Sequence, residues 1–121
     1  MRNSTAIELS LPFPPSVNAL WRSNRGRVHK SERYVKWLRD AGYIALSQHP
    51  GGIIGKYKIS IQAKRPDKRR RDLDNLLKPL SDLLVSVGVI EDDSDCEMIS
   101  ARWVTFGDGV VVRVERVGLE A

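Results

Sequence analysis

Residues 57–88 read YKISIQAKRPDKRRRDLDNLLKPLSDLLVSVG, and the fold turns on a change of period inside them. From Tyr57 through Ile59, Ile61 and Ala63, apolar side chains alternate with Lys58, Ser60 and Gln62, the two-residue repeat of a strand buried on one face. Pro66 ends that repeat. Beyond it Leu73, Leu76, Leu77, Leu80, Leu83 and Leu84 recur at helical spacing, and Gly88 supplies a stop signal. Pro79 lies inside the stripe, so the regular helix is expected to begin near Lys78 or to kink there.

Working outward, Ile7, Leu9 and Leu11 alternate up to Pro12 and read as a first strand. The stretch from Pro12 to Lys30, rich in Pro, Asn, Arg and Gly, reads as a loop. Ser31 is placed to cap a helix whose apolar positions are Tyr34 or Val35, Leu38, Ala41, Ala45 and Leu46, ended by Pro50, Gly51 and Gly52. On the far side of the central stretch, Met98 to Thr105 and Val110 to Val117 read as two strands joined in a hairpin through Phe106, Gly107, Asp108 and Gly109. The order β-α-β-α-β-β gives a mixed α+β fold, a mixed sheet packed by two helices. With 121 residues and neither repeat nor linker, residues 1–121 are expected to form one domain.

Charge narrows the function. Lys and Arg number 20 against 15 Asp and Glu, and the excess is gathered into two blocks. Arg22, Arg25, Arg27, Lys30, Arg33, Lys36 and Arg39 meet only Glu32, while Lys64, Arg65, Lys68, Arg69, Arg70 and Arg71 meet only Asp67. Such clusters replace counterions on a phosphate backbone, which makes Arg22, Arg25, Arg27, Lys30, Lys68, Arg69, Arg70 and Arg71 the candidate DNA-binding residues. Glu91, Asp92, Asp93, Asp95 and Glu97 crowd the opposite charge into seven residues. No apolar run is long enough to span a bilayer, no signal segment precedes the first strand, and Cys96 has no partner in the chain. A reducing cytoplasm fits these features.

Asp72 and Asp74 are the candidate metal ligands. In an extended segment their side chains share one face, with Cα atoms about 6.6 Å apart. Mg²⁺ takes oxygen ligands, keeps much of its water and needs only one or two protein carboxylates. The competing reading is that both acids cap a helix and meet its positive end. Lys78 is likewise open to two roles: an ion pair with Asp74 one turn earlier, or an ammonium that stabilises charge on a scissile phosphate. In the acidic cluster, Asp93, Asp95 and Glu97 mimic the start of an EF-hand loop, but Met98 stands where glycine is required and Val104 where glutamate is. Asp93 is the preferred third acid. His29 and His49 have no zinc-binding spacing, and no phosphate-cradling glycine motif indicates a nucleotide cofactor. Trp21, inside the first basic block, offers either a base-stacking surface or a cover for the core; Trp37 and Trp103 fit packing positions.

Taken in order, Leu11-Pro12-Phe13-Pro14-Pro15-Ser16-Val17-Asn18, Arg25-Gly26-Arg27-Val28-His29, Arg69-Arg70-Arg71-Asp72-Leu73-Asp74-Asn75-Leu76 and Asp92-Asp93 resemble the RusA family of Holliday junction resolvases across nearly the whole chain. The resemblance implies a homodimeric, Mg²⁺-dependent endonuclease, with Mn²⁺ a possible substitute, that binds four-way junction DNA. It implies paired, symmetric nicks that leave a 5′-phosphate and a 3′-hydroxyl. It maps the catalytic acids and metal ligands to Asp72, Asp74 and Asp93, and the important lysine to Lys78. Two other classes stay in view: a non-catalytic DNA-binding or architectural protein, and a nuclease acting on other branched or linear DNA.

Overall fold

The computed structural model describes residues 3–16 and 20–118; Val17 and Asn18 of the first family motif lie outside them. In chain order the elements are β1 (Ala6–Leu11), β2 (Trp21–Asn24), β3 (Arg27–Lys30), α1 (Glu32–Ser47), β4 (Tyr57–Lys64), α2 (Leu77–Ser86), β5 (Cys96–Val104) and β6 (Val110–Arg116). Single 3₁₀ turns occupy Leu73–Leu76, before α2, and Asp93–Asp95, before β5.

Four strands form one mixed sheet in the order β1-β6-β4-β5. Its buried face follows from register: Ile7, Val114 and Ile59 form one row, Leu9, Val112 and Ile61 the next, and Leu11, Val110 and Ala63 the third. All nine are buried and pack against Tyr34, Trp37, Ala41 and Ala45 of α1 and Leu80, Leu83 and Leu84 of α2. The alternation expected over residues 57–64 is therefore the central strand of the core. Ser31 caps α1 as expected, its hydroxyl accepting from the Tyr34 N–H at 3.1 Å. Within α1, however, Val35 and Leu46 are exposed, and Trp37 takes a place on the buried face.

Two expectations are corrected. β5 and β6 do not form a hairpin, because β4 lies between them, antiparallel to β6 and parallel to β5. A parallel partner needs a long crossover, and α2 supplies it, so Thr105–Gly109 carries the chain across the end of β4 rather than reversing it in place. The stretch Pro12–Lys30 is likewise not all loop: β2 and β3 pair as a separate antiparallel hairpin. Arg25 and Gly26 at its tip have φ of 53° and 77°, the left-handed pair of a two-residue turn whose twist matches its strands. A lone two-stranded hairpin is marginal in water. This one is tied down by buried Leu20, whose carbonyl accepts from the Ser31 N–H at 2.9 Å, and by Trp21 set edge-on to Tyr34 at 6.1 Å.

The second basic block is folded around its one acid. Asp67 accepts from the Arg69 backbone N–H at 3.0 Å and from Nε and Nη2 of Arg71 at 3.2 and 2.8 Å. The Arg71 guanidinium also lies 5.4 Å from the centre of the Phe13 ring. Phe13 stacks on Trp103 at 6.2 Å, and Arg65 covers the Trp103 ring at 4.3 Å. Arginine and aromatic faces attract through the ring quadrupole, so this pile joins the ends of β1, β4 and β5 to the loop.

Two measurements test these supports. Gly109 has φ of 69°, and a Cβ there would stand 2.3 Å from the Leu11 carbonyl oxygen, whereas Gly107, at 77°, has open space around it. Gly107→Ala is expected to cost about 1 kcal/mol in urea unfolding, and Gly109→Ala about 3 kcal/mol or more, because backbone must move as well. Asp67→Asn is expected to speed trypsin cleavage after Arg69 and Arg70 about five-fold, the equivalent of about 1 kcal/mol of local ordering. An unchanged digestion rate would show that the loop does not rest on Asp67.

Candidate active site and nucleic-acid interface

The site begins where the chain leaves the Asp67-braced loop. Asp72 is still extended, with φ −99° and ψ 132°, and the 3₁₀ turn starts at Leu73. It occupies the cap position of that turn, yet its carboxylate makes no cap hydrogen bond. The capping role is thus not taken by Asp72, whose side chain is exposed. Asp74 departs from the extended arrangement expected for the pair: it lies within the turn, so the two acids are not alternate residues of one strand. Leu73 between them is half-buried against the core, and the turn packs against β5.

The regular helix α2 begins at Leu77, which matches the expected start near Lys78 and places Pro79 in the first turn, where a missing N–H costs nothing. Because Asp74 precedes this helix, Lys78 does not pair with it. Its ammonium instead meets Asp82 one turn later, at 3.0 Å. That bond to Asp82, with the charge of Asp93 adding to it, holds the lysine's pKa above its ordinary value. At the other end Gly88, with φ of 80°, stops α2 as expected.

The acidic cluster divides into separate roles. Glu91 accepts from the Gly55 N–H at 3.0 Å, and Glu97 lies 3.9 Å from Lys56. Asp92 caps the turn Asp93–Asp95, accepting from the Ser94 N–H at 2.8 Å, a bond that lowers its pKa. Asp93 faces a cleft of about 430 Å³ that it shares with Lys78, Asp82, Trp21 and Lys30. The hairpin register puts Lys30 opposite Trp21, and it puts Arg22, Arg27 and His29 on the other face.

A second, wider groove of about 1010 Å³ runs between the Pro12–Ser16 segment, α1 and the second basic block. Arg69, Arg70, Arg71 and Asp72 line one wall. The opposite wall carries Arg33 and Lys36, two residues of the first block that lie outside the candidate DNA-binding set. Lys36 and Arg39 share Asp40, at 2.8 and 3.4 Å, and Lys36 above all lowers the carboxyl pKa of Asp40. Arg71 is partly engaged by Asp67, so Arg69 and Arg70 are the guanidinium groups of this wall best placed for phosphate. Both are exposed, as are Lys68, Arg22, Arg25, Arg27 and Lys30. The missed positions on α1 were readable as a pair three residues apart on the helix.

For a divalent cation the donor set itself can be tested. Asp72 and Asp74 offer hard oxygen donors at an exposed position beside a phosphate-attracting wall, the chemistry Mg²⁺ requires. Among the described residues, no group of three or more His, Cys, Asp or Glu is gathered to hold a metal: Asp72 lines one cleft and Asp93 the other. The pair suits the ion, while a three-acid cage is not assembled.

Comparison with known proteins identifies the family. Residues 12–115 match the sequence model of a family described as Endodeoxyribonuclease RusA. The chain is 40% identical to the crossover junction endodeoxyribonuclease of Enterobacteria phage HK97 over 91 residues, 74% of this chain and 75% of that protein. It is 42% identical to that of Escherichia coli strain K12 and 43% identical to that of Enterobacteria phage 82, each over 71% of this chain and 72% of the relative. The extended Asp72, the turn carrying Asp74 and both clefts all fall inside the matched span, and the chain belongs to the RusA family of endodeoxyribonucleases.

Proposed function

We propose that this chain is a Mg²⁺-dependent endonuclease that resolves four-way DNA junctions by paired, symmetric nicks, acting as a homodimer. The observation that carries the reading is Asp72: an exposed acid with an uncapped carboxylate, at the edge of a cationic groove, in a chain of a junction-endonuclease family. A bare acid there weakens attraction to DNA, a cost that a bound cation would offset.

Asp72 and Asp74 would hold the metal, with Asp93 as the third acid by family correspondence and Mn²⁺ as a substitute. Bound there, Mg²⁺ supplies a Lewis acid for the phosphate and a water of lowered pKa. The chain's own groups do the positioning. Arg69 and Arg70 take phosphates along the wide groove, held at their distance from Asp72 by the Asp67 brace. Lys78, kept protonated by Asp82 and Asp93, offers a positive charge to the phosphate or to the departing oxygen. One chain supplies one such site, and a twofold partner would supply the second cut in the opposing strand. The phage sources of two relatives fit a prophage origin.

The decisive experiment is cleavage of a mobile four-way junction. Asp74→Asn is expected to keep junction binding and to lose at least about 100-fold in Mg²⁺-dependent rate; wild-type cleavage would remove Asp74 from the chemistry. A supercoiled plasmid extruding a cruciform should appear as linear product, since two nicks fall in one encounter, whereas an accumulation of nicked circle would argue against paired cutting. Replacing Arg69 and Arg70 together by Ala should lower the slope of log affinity against log salt by about 2, one for each lost phosphate contact.

A further inference from the structure

Asp82 has so far entered only as the charge partner of Lys78, yet it joins both helices. One carboxylate oxygen accepts from the Tyr34 hydroxyl of α1, and the other lies 3.0 Å from Nζ of Lys78 in α2. Tyr34 is fully buried, stacked on Trp37 at 6.4 Å and met edge-on by Trp21 at 6.1 Å. A buried ring held by these two contacts keeps its hydroxyl oxygen in place, so the donor that Asp82 meets has a set position. An ordinary surface ion pair one helical turn apart has two mobile partners. Here the carboxylate is anchored from behind, and only the lysine is exposed: its side chain is 53% accessible against 21% for Asp82. The ammonium therefore stands on the wall of the cleft that also holds Asp93, Trp21 and Lys30.

We infer that Asp82, anchored by Tyr34, is a positioning residue that fixes the Lys78 ammonium at the cleft wall for the DNA-cutting reaction. A lysine is a point charge on a flexible four-carbon stem, and its use in a transition state requires that stem to be ordered beforehand. Tyr34 and Asp82 order it before substrate arrives. Trp21 connects the same anchor to the basic hairpin, so the arm and the lysine share one support. This inference rests on the part proposed for Lys78 above.

Single-turnover cleavage of the four-way junction, measured beside junction affinity, tests it. Asp82→Asn is expected to slow cleavage about 10- to 100-fold, the usual consequence of a misplaced reacting group, with binding kept or slightly tightened. Tyr34→Phe keeps the buried ring and removes only the hydroxyl, and it should move the rate in the same direction by less. In a Lys78→Met background neither change should cause further loss, because both act through that lysine. A wild-type rate for Asp82→Asn while Lys78→Met is crippled would overturn the positioning role alone. Equal losses in both backgrounds would overturn it too, by showing that Asp82 acts through the fold. Full activity of Lys78→Met would remove the function assumed for the lysine and the inference with it. Should Asp82→Asn fail to fold, Tyr34→Phe carries the same test.

Discussion

The parallel pairing of β4 and β5 is the constraint on which the rest of the structure depends. It obliges the chain to return along the sheet before β5 can begin, and α2 makes that return. Ten helical residues span only about 15 Å, whereas the eight of β4 span about 26 Å. The difference falls to the segment between Arg65 and Leu76, which folds back over the sheet before the helix starts and brings its 3₁₀ turn against β5. Asp72 and Asp74 thus sit on this connecting segment, with Lys78 in the first turn of the helix that follows, and the Asp67 fork braces the start of that path.

The same constraint explains what was legible in the sequence. Tyr57, Ile59, Ile61 and Ala63 show their role because every second residue is buried, a property local to the strand. Ser31 and Gly88 show theirs because caps depend on a few neighbouring residues. The supposed β5–β6 hairpin failed because pairing across a sheet is non-local: nothing in Phe106–Gly109 records that β4 will stand between the two strands. The β2–β3 hairpin went unseen for the opposite reason. All eight of its residues are exposed, so it has no buried face to mark it. Its one signal was Gly26 between two short stretches of equal length.

Site geometry was legible by residue type more than by spacing. Asp72 and Asp74 are two apart, but the turn begins between them, which breaks the extended arrangement and leaves Asp72 as the exposed acid without a cap bond. Four residues separate Asp74 from Lys78 and Lys78 from Asp82 alike. The helix boundary at Leu77 decides between those partners, and a boundary that depends on tertiary packing is the least readable feature of a helix.

Counting where each charge is engaged sharpens the comparison between a binding surface and a reactive one. Asp40 and Asp67 lie within basic stretches, and both are paired with their neighbours: Arg71 above all lowers the Asp67 pKa, as Lys36 does that of Asp40. Glu91 and Asp92 are bound to backbone N–H groups. These acids serve the fold, and their negative charge is largely balanced on the spot. Among the described residues, Asp72 and Asp74 form no bond of this kind, and they remain exposed close to Arg69 and Arg70, where a surface evolved only to hold phosphate would gain by having neutral residues. Local pairing thus accounts for many of the acids in this basic chain, and among those it leaves over Asp72 alone lines the cationic groove, with Asp74 two residues further on.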